Sequence, residues 1–279
     1  GGIIMKRYPV FLVFLLGISL FIVNAGYGKD SEIISFADPN LEQVVKNVLE
    51  MPPEQAITKE KLLKLTELKA GSEGIKNLSG LEYAINLQSL YLENNEIVDL
   101  APLSELTRLQ QLSLGLNKIK DLTPLAELTS LRWLGLGSNQ IEDISPLTNL
   151  KNLQELWLPI NQISNITPLS SLTSLQRLDL SHNQIIDINP LAGLTNLEEL
   201  NLRNNQINNI SPLINLTRIR ILDLSNNWIN DITPLVSNPG LGQGDIVYLQ
   251  NNNLDIASNY SNLLNIQLLQ NRGVKVYYE

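Results

Sequence analysis

Leu109-Gln-Gln-Leu112-Ser-Leu114-Gly-Leu116-Asn117-Lys-Ile119-Lys-Asp121-Leu122-Thr123-Pro124-Leu125-Ala-Glu-Leu128-Thr-Ser130 is the 22-residue unit that decides how this chain folds. In Leu112-Ser-Leu114 the two leucines alternate with a polar residue, so a short strand turns both leucines inward and the residue between them outward. Asn117 stands where the strand turns away into the core. A buried amide there must find partners for its donors and its acceptor, and the backbone turns it meets can supply them. Thr123-Pro124-Leu125 then starts a short helical turn, with Thr as its expected cap and Pro at the first helical position, where no N–H is needed. Asp121 reads as a turn and cap residue, as do Asp99, Asp143, Asp187 and Asp231 at the same phase.

The unit returns every 22 residues without slipping, marked by Asn95, Asn117, Asn139, Asn161, Asn183, Asn205 and Asn227. Another copy, around Asn252, follows a three-residue insertion at Gly240-Leu-Gly-Gln-Gly244. A degenerate first copy spells Leu65-Thr-Glu-Leu68-Lys-Ala70, with Glu73 at the asparagine position. A strict period of this length means stacked coils, because no coil can bury its leucines alone. At a strand spacing of about 4.8 Å, nine coils give a parallel sheet roughly 40 Å long, with an asparagine ladder along one edge.

Stacked coils need closed ends, and both are visible in the sequence. Asp38-Pro39 is expected to open an amphipathic helix with Leu41, Val44, Val45, Val48 and Leu49 on one face, stopped by Pro52-Pro53, and a second short helix follows Thr58. At the far end Leu263, Leu264, Ile266, Leu268 and Leu269 predict a helix that Gly273 ends, and Val274-Lys-Val276 adds a closing strand. The expected division is an export signal over residues 1–25 (residues 1–4 an upstream extension), a helical N-terminal cap over 26–63, about nine repeats over 64–254, and a C-terminal cap over 255–279.

Composition limits the function. The 279 residues contain no Cys, which excludes disulfides, thiolate metal sites and a cysteine nucleophile, and the formal charge is −8. Nucleic acid wants a basic stripe, so it is a poor partner for this chain. Lys6-Arg7 behind Met5, the apolar run Val10 to Val23, and Val23-Asn24-Ala25 before Gly26 read as a cleavable secretory signal. Cleavage near Ala25 leaves a secreted or periplasmic chain without a stable membrane span. The run is too short to span a bilayer comfortably.

The repeat, with Phe36-Ala-Asp38-Pro-Asn40-Leu41 and Val44, Val48 and Leu49 before it, resembles the internalin-type bacterial leucine-rich-repeat family. Gly74-Ile-Lys-Asn-Leu78-Ser-Gly80-Leu81-Glu82-Tyr83 is similar to that family's first repeat, and Arg272-Gly273-Val274-Lys275-Val276 to an ending common in its bacterial relatives. The expected fold is therefore an α/β leucine-rich-repeat solenoid: a curved parallel β-sheet, short helical turns on the convex side, and a cap at each end. The resemblance implies a non-enzymatic module, without cofactor or metal, that binds a cell-surface protein with its concave face. A binder of cell-wall glycan is the alternative from another class. The 22-residue repeat also resembles a eukaryotic phosphatase-regulatory scaffold, an intracellular role that an export signal opposes.

Residues that the scaffold does not dictate carry the partner information. Six places before each ladder asparagine the outward row reads Ser89, Gln111, Trp133, Glu155, Arg177, Glu199, Ile221. Four places before, it reads Tyr91, Ser113, Gly135, Trp157, Asp179, Asn201, Asp223, Tyr248. Trp133 and Trp157 are diagonal neighbours whose rings can touch. Gly135 beside Trp157, with Gly115 and Gly137 nearby, is expected to leave a bare floor. Leu116 and Ile160 fall where other coils place Asn, Ser or His. Together with Tyr91 these predict an aromatic hollow suited to partner binding, the bland reading being two indoles packed on each other. Ile221, Ile246 and Tyr248 form a second apolar group. Glu155, Arg177 and Glu199 read as a surface charge ladder with a rim role in binding. Asp179, Ser181 and His182 invite a catalytic triad, but three residues so close along one strand exit are an ordinary spelling of the repeat. Asp179, Asn201 and Asp223 share one row, too few oxygens for calcium, so a polar face is the expected reading. The glycines of Gly240–Gly244 lack the strand–helix context of a dinucleotide loop.

Overall fold

The computed structural model describes residues 32–256 and 260–278, so the expected export signal and the first residues of the expected N-terminal cap lie outside the described part. Ten three-residue strands lie in chain order in one sheet. They are β1 (Glu67–Lys69), β2 (Ser89–Tyr91), β3 (Gln111–Ser113), β4 (Trp133–Gly135), β5 (Glu155–Trp157), β6 (Arg177–Asp179), β7 (Glu199–Asn201), β8 (Ile221–Asp223), β9 (Ile246–Tyr248) and β10 (Lys275–Tyr277). Every neighbouring pair is parallel, and the register matches equivalent repeat positions: Trp133 faces Glu155 and Gly135 faces Trp157. The three-residue insertion is absorbed before β9, so Ile221 still meets Ile246 and Asp223 meets Tyr248.

Opposite the sheet each coil makes a short turn, of the 3₁₀ type in most coils (Thr123–Leu125 is one) and α-helical in α3 (Thr233–Ser237). In a leucine-rich-repeat solenoid of this kind the strands line the inner, concave face. The consensus leucines and isoleucines between the two layers form one continuous core, and most are fully buried.

The turn is capped differently from the sequence expectation. Leu122 occupies the capping position, Thr123 is already the first helical residue and Pro124 the second. The cap oxygen comes from two residues upstream of Thr123, where Asp121 Oδ1 accepts the Thr123 N–H at 2.8 Å. Asp99, Asp143, Asp187 and Asp231 do the same for their coils, and Asn165 and Asn209 replace the carboxylate in two others. The threonine or serine is thus the capped residue and not the cap. The recurring aspartates are scaffold.

The ladder is the connection between coils. Asn117 Nδ2 donates to Leu114 O in its own coil (3.0 Å) and to Leu92 O in the preceding one (3.0 Å), while its Oδ1 accepts the Ile97 N–H (3.0 Å). Asn161 repeats this with Leu158 O, Leu136 O and Ile141 N–H. Asn139, Asn183, Asn205 and Asn227 keep the same three partners in register. Asn95 reaches back to the degenerate coil, where its Oδ1 takes the N–H groups of Glu73 and Ile75. That explains why Glu73 is tolerated at the ladder position: the ladder begins one coil later and treats this turn as a recipient. Asn252 resumes the pattern across the insertion, binding Leu224 O, Leu249 O and the Ile229 N–H.

At the N-terminal end α1 (Pro39–Val48) packs on the first coil, followed by α2 (Lys59–Leu62). Asp38, 6 % exposed, joins the two units. Its Oδ1 accepts the Asn40 and Leu41 N–H groups of α1, and its Oδ2 those of Lys76 and Asn77 in the repeat. Burial pushes this carboxyl up, yet the four backbone donors together outweigh that and hold it below its ordinary value. Leu41, Val44 and Val45 are buried as expected, but Val48 is 46 % exposed. Lys46 takes the place on the buried side, its ammonium held by Pro53 O and Glu42. The helix ends before the prolines, where Glu50 turns left-handed (φ 52°). At the other end α4 (Tyr260–Asn271) buries Ile266 and Leu269 but leaves Leu264 and Leu268 at the surface. Gly273 reverses the chain (φ 91°) into β10. Gly240 is required by space, since a Cβ there would lie 2.0 Å from Thr217 O.

Replacing Asn161 by Ala leaves the buried Ile141 N–H without its acceptor and takes one of two amide donors from Leu136 O and Leu158 O, which Asn139 and Asn183 still reach, and should destabilise the protein by about 2 kcal/mol. The check is a denaturant titration against Asn152→Ala. That asparagine makes one surface bond, to Thr129 O, and its loss should cost less than about 1 kcal/mol.

Candidate functional site

The concave strand face presents the two outward rows in the register expected. Its details differ around Gly135. A Cβ at Gly135 would lie 2.6 Å from Trp133 Cη2, so the Trp133 indole lies folded over that glycine. Gly135 is buried accordingly. The bare floor predicted from the sequence is therefore covered by Trp133 itself. Ring stacking among the described residues joins Tyr248 to Tyr277, with centroids 5.0 Å apart, and does not join the two tryptophans. Gly115 and Gly137 serve close approach between coils, since a Cβ on Gly137 would meet Pro159 at 2.8 Å and one on Gly115 would meet Gly137 O at 3.3 Å.

The hollow lies on the other side of Trp157. It is an open depression of about 210 Å³ between Trp157 on β5 and Ile221 and Tyr248 on β8 and β9, floored by Asp179, Asn201 and Asp223. Trp157 thus borders both the expected hollow and the observed one. Ile221 and Tyr248, which the sequence sets apart as a second apolar group, form its far wall. They could have been joined to Trp157 only by seeing that Asp179, Asn201 and Asp223 are shorter than the rings at either end of their row. Tyr91, three strands from Trp157, belongs to a separate cluster: its hydroxyl donates to Gln111 Oε1 and Lys69 lies over its ring.

The charge ladder is present. Arg177 Nη1 binds Glu155 Oε1 at 2.8 Å and Arg177 Nε binds Glu199 Oε1 at 3.2 Å. The Glu155 and Glu199 charges hold the guanidinium above its ordinary value. Glu155 Oε2 also accepts from Trp157 Nε1 at 3.4 Å, so the ladder steadies the indole. The triad does not assemble. Asp179 Oδ1 accepts the Ser181 N–H, and His182 Nδ1 meets Asn204 Nδ2 in the next coil. Asp179 Oδ2 and Asn201 Nδ2 bond each other (3.0 Å), and among the described residues no three His, Cys, Asp or Glu side chains are placed to hold a metal.

Leu116 and Ile160 have a feature the sequence does not display. The residue before the ladder position is left-handed in all nine coils, from Ser72 (φ 63°) to Asn251 (φ 56°). This turn swings the asparagine into the core, and the left-handed residue donates its N–H to the next coil, as Leu116 does to Gly137 O and Ile160 to Ser181 O. Asn, which fills four of the nine positions, tolerates this conformation; a β-branched residue resists it. Leu116 (φ 56°, 57 % exposed) and Ile160 (φ 55°, 55 % exposed) are held there with side chains in solvent.

The family described as leucine rich repeats (2 copies) matches residues 85–127, 129–171, 151–193, 173–215 and 195–237. No curated protein matches the chain in sequence. Internalin C2 of Listeria monocytogenes is 38 % identical, with a TM-score of 0.70 over 74 % of this chain and 91 % of that one. An internalin (inlF) of the same organism is 30 % identical, with a TM-score of 0.52 over 88 % of this chain and 91 % of that one. A leucine-rich-repeat protein of Leptospira interrogans shares the fold at 22 % identity, with a TM-score of 0.66 over 77 % of this chain and 62 % of that one. With the ladder, the strand register and the helical caps in place, the chain belongs to the internalin-type leucine-rich-repeat proteins, a non-catalytic family.

Proposed function

We propose that this protein is an exported binding module, secreted or periplasmic after loss of a leader ending near Ala25, that holds a protein partner on its concave face and adjoining edge. The observation that carries this reading is Leu116 and Ile160. Both are apolar, more than half exposed, and sit in a left-handed turn that other coils give to Asn, Ser or His. The turn is needed for the ladder and for the N–H bond to the next coil, but neither requires an apolar side chain. A strained, exposed apolar pair beside an aromatic sheet face fits a surface kept for contact with another molecule. Trp157, steadied by Glu155 and Arg177, supplies the central aromatic anchor of such a contact. No helix of the described residues is long and apolar enough to cross a membrane.

Two outcomes test the reading. Ile160→Asn should raise stability by about 1 kcal/mol, the left-handed penalty of a branched residue, while weakening partner binding; a lower denaturation midpoint would show that Ile160 is structural. In titrations against cell-surface protein and against purified wall glycan, Trp157→Ala should weaken protein binding about 30-fold or more, as loss of a central anchor does, with melting nearly unchanged. Trp157-dependent binding to glycan alone would assign the face to a polymer instead.

A further inference from the structure

We propose that the hollow between Trp157 and Tyr248 receives a basic side chain, a lysine or arginine, from the protein partner; this rests on the concave-face reading above and specifies its chemistry. Successive strands place Trp157, Asp179, Asn201, Asp223 and Tyr248 in one outward row, an aromatic ring at each end and carboxylates between. The charged side chains lining the hollow are Asp179, Glu199 and Asp223 against a single guanidinium, Arg177. That guanidinium is already held between Glu155 and Glu199, so it does not neutralise the aspartates. Asp179 is occupied by the Ser181 N–H and Asn201, and Asp223 by Ser225. These are neutral donors, and among the described residues neither aspartate has an ion pair. Arg203 borders Asp223 outside the hollow without closing to ion-pair distance.

The remaining charge fits one kind of occupant. A carboxylate offers about four acceptor positions, and the bonds to Asp179 and Asp223 use only some of them, which leaves acceptors for the several N–H donors of an ammonium or guanidinium. The faces of Trp157 and Tyr248 attract a cation as well. The aliphatic stem of such a side chain covers apolar surface, and Ile221 offers it. An acidic side chain would meet net negative charge, and a neutral one would leave both aspartates desolvated without a countercharge.

The test uses the whole exported chain and blocked pentapeptides of glycine around one central arginine, lysine or glutamate. The Trp157 indole N–H signal, assigned by its loss in Trp157→Phe, is followed during titration. The arginine and lysine peptides should shift it saturably and the glutamate peptide should not. Asp179→Asn with Asp223→Asn should raise the Kd for the arginine peptide about ten-fold, the loss of charge-assisted bonds. Asp223→Asn alone should raise it by a smaller factor. The coil between already carries Asn201, whose Oδ1 accepts the Arg203 N–H, so these variants keep the turn and should melt as the parent does. Equal shifts from the arginine and glutamate peptides, or unchanged affinity in the double variant, would overturn the proposal. A protein partner that needs Trp157 but ignores both aspartates would overturn this inference and leave the concave-face reading standing. Arginine binding that persists while no partner depends on Trp157 would do the reverse.

Discussion

Each ladder asparagine must satisfy three backbone groups drawn from two consecutive coils, and the architecture depends on that constraint. Asn161 shows it in full, with one carbonyl from its own coil and a carbonyl and an N–H from the coil before. The core leucines supply burial but are nondirectional, and they would tolerate a slipped stack. The amide does not, because a shift of one residue would part its buried oxygen from the N–H it accepts in the coil before, leaving both unpaired. The left-handed turn before it follows from the same demand. So does the constancy of the period over seven copies, since any insertion must be looped out, as happens before β9.

The scaffold was legible because every consensus position answers to a packing or hydrogen-bond requirement that sequence displays directly. Alternating leucines, ladder asparagines and turn aspartates each state their own environment. What was hidden depended on shape. No pattern says that Trp133 folds over Gly135, because that is a rotamer, and it moved the expected hollow one strand along. Val48 was read into the buried face of α1 when the Lys46 stem lies there instead, since a long side chain can bury its carbons and still reach Pro53 O and Glu42. Both the serine or threonine before the turn proline and the aspartate two residues before it read as caps in the sequence, and only the backbone path assigns the role to the aspartate. Ile160 looked unusual among its equivalents, and the positive φ supplies the physical reason.

Scaffold and site are thus assigned to different residues of one repeat. Inward positions and the ladder fix the coil, leaving outward strand positions and the exposed left-handed residue to vary from coil to coil. This is why the face can carry an aromatic and acidic hollow near one end and a tyrosine cluster near the other without altering the register. It also separates the turn aspartates, which cap the scaffold, from Asp179 and Asp223, whose strand positions carry the proposed contact.

The central claim is that the asparagine bonds hold coil to coil, and it is tested most directly by native-state hydrogen exchange at the isoleucine amides whose acceptors are ladder side chains. Ile141, Ile163 and Ile185 donate to Asn161, Asn183 and Asn205. Their exchange should be as slow as that of strand amides in the same coils and should require global unfolding. The internal reference is the Ser145 N–H, which has only the exposed Asp143 carboxylate as acceptor and should exchange quickly by local opening. Isoleucine amides that exchange as fast as Ser145 would contradict the account, since the stack would then be held by leucine burial alone.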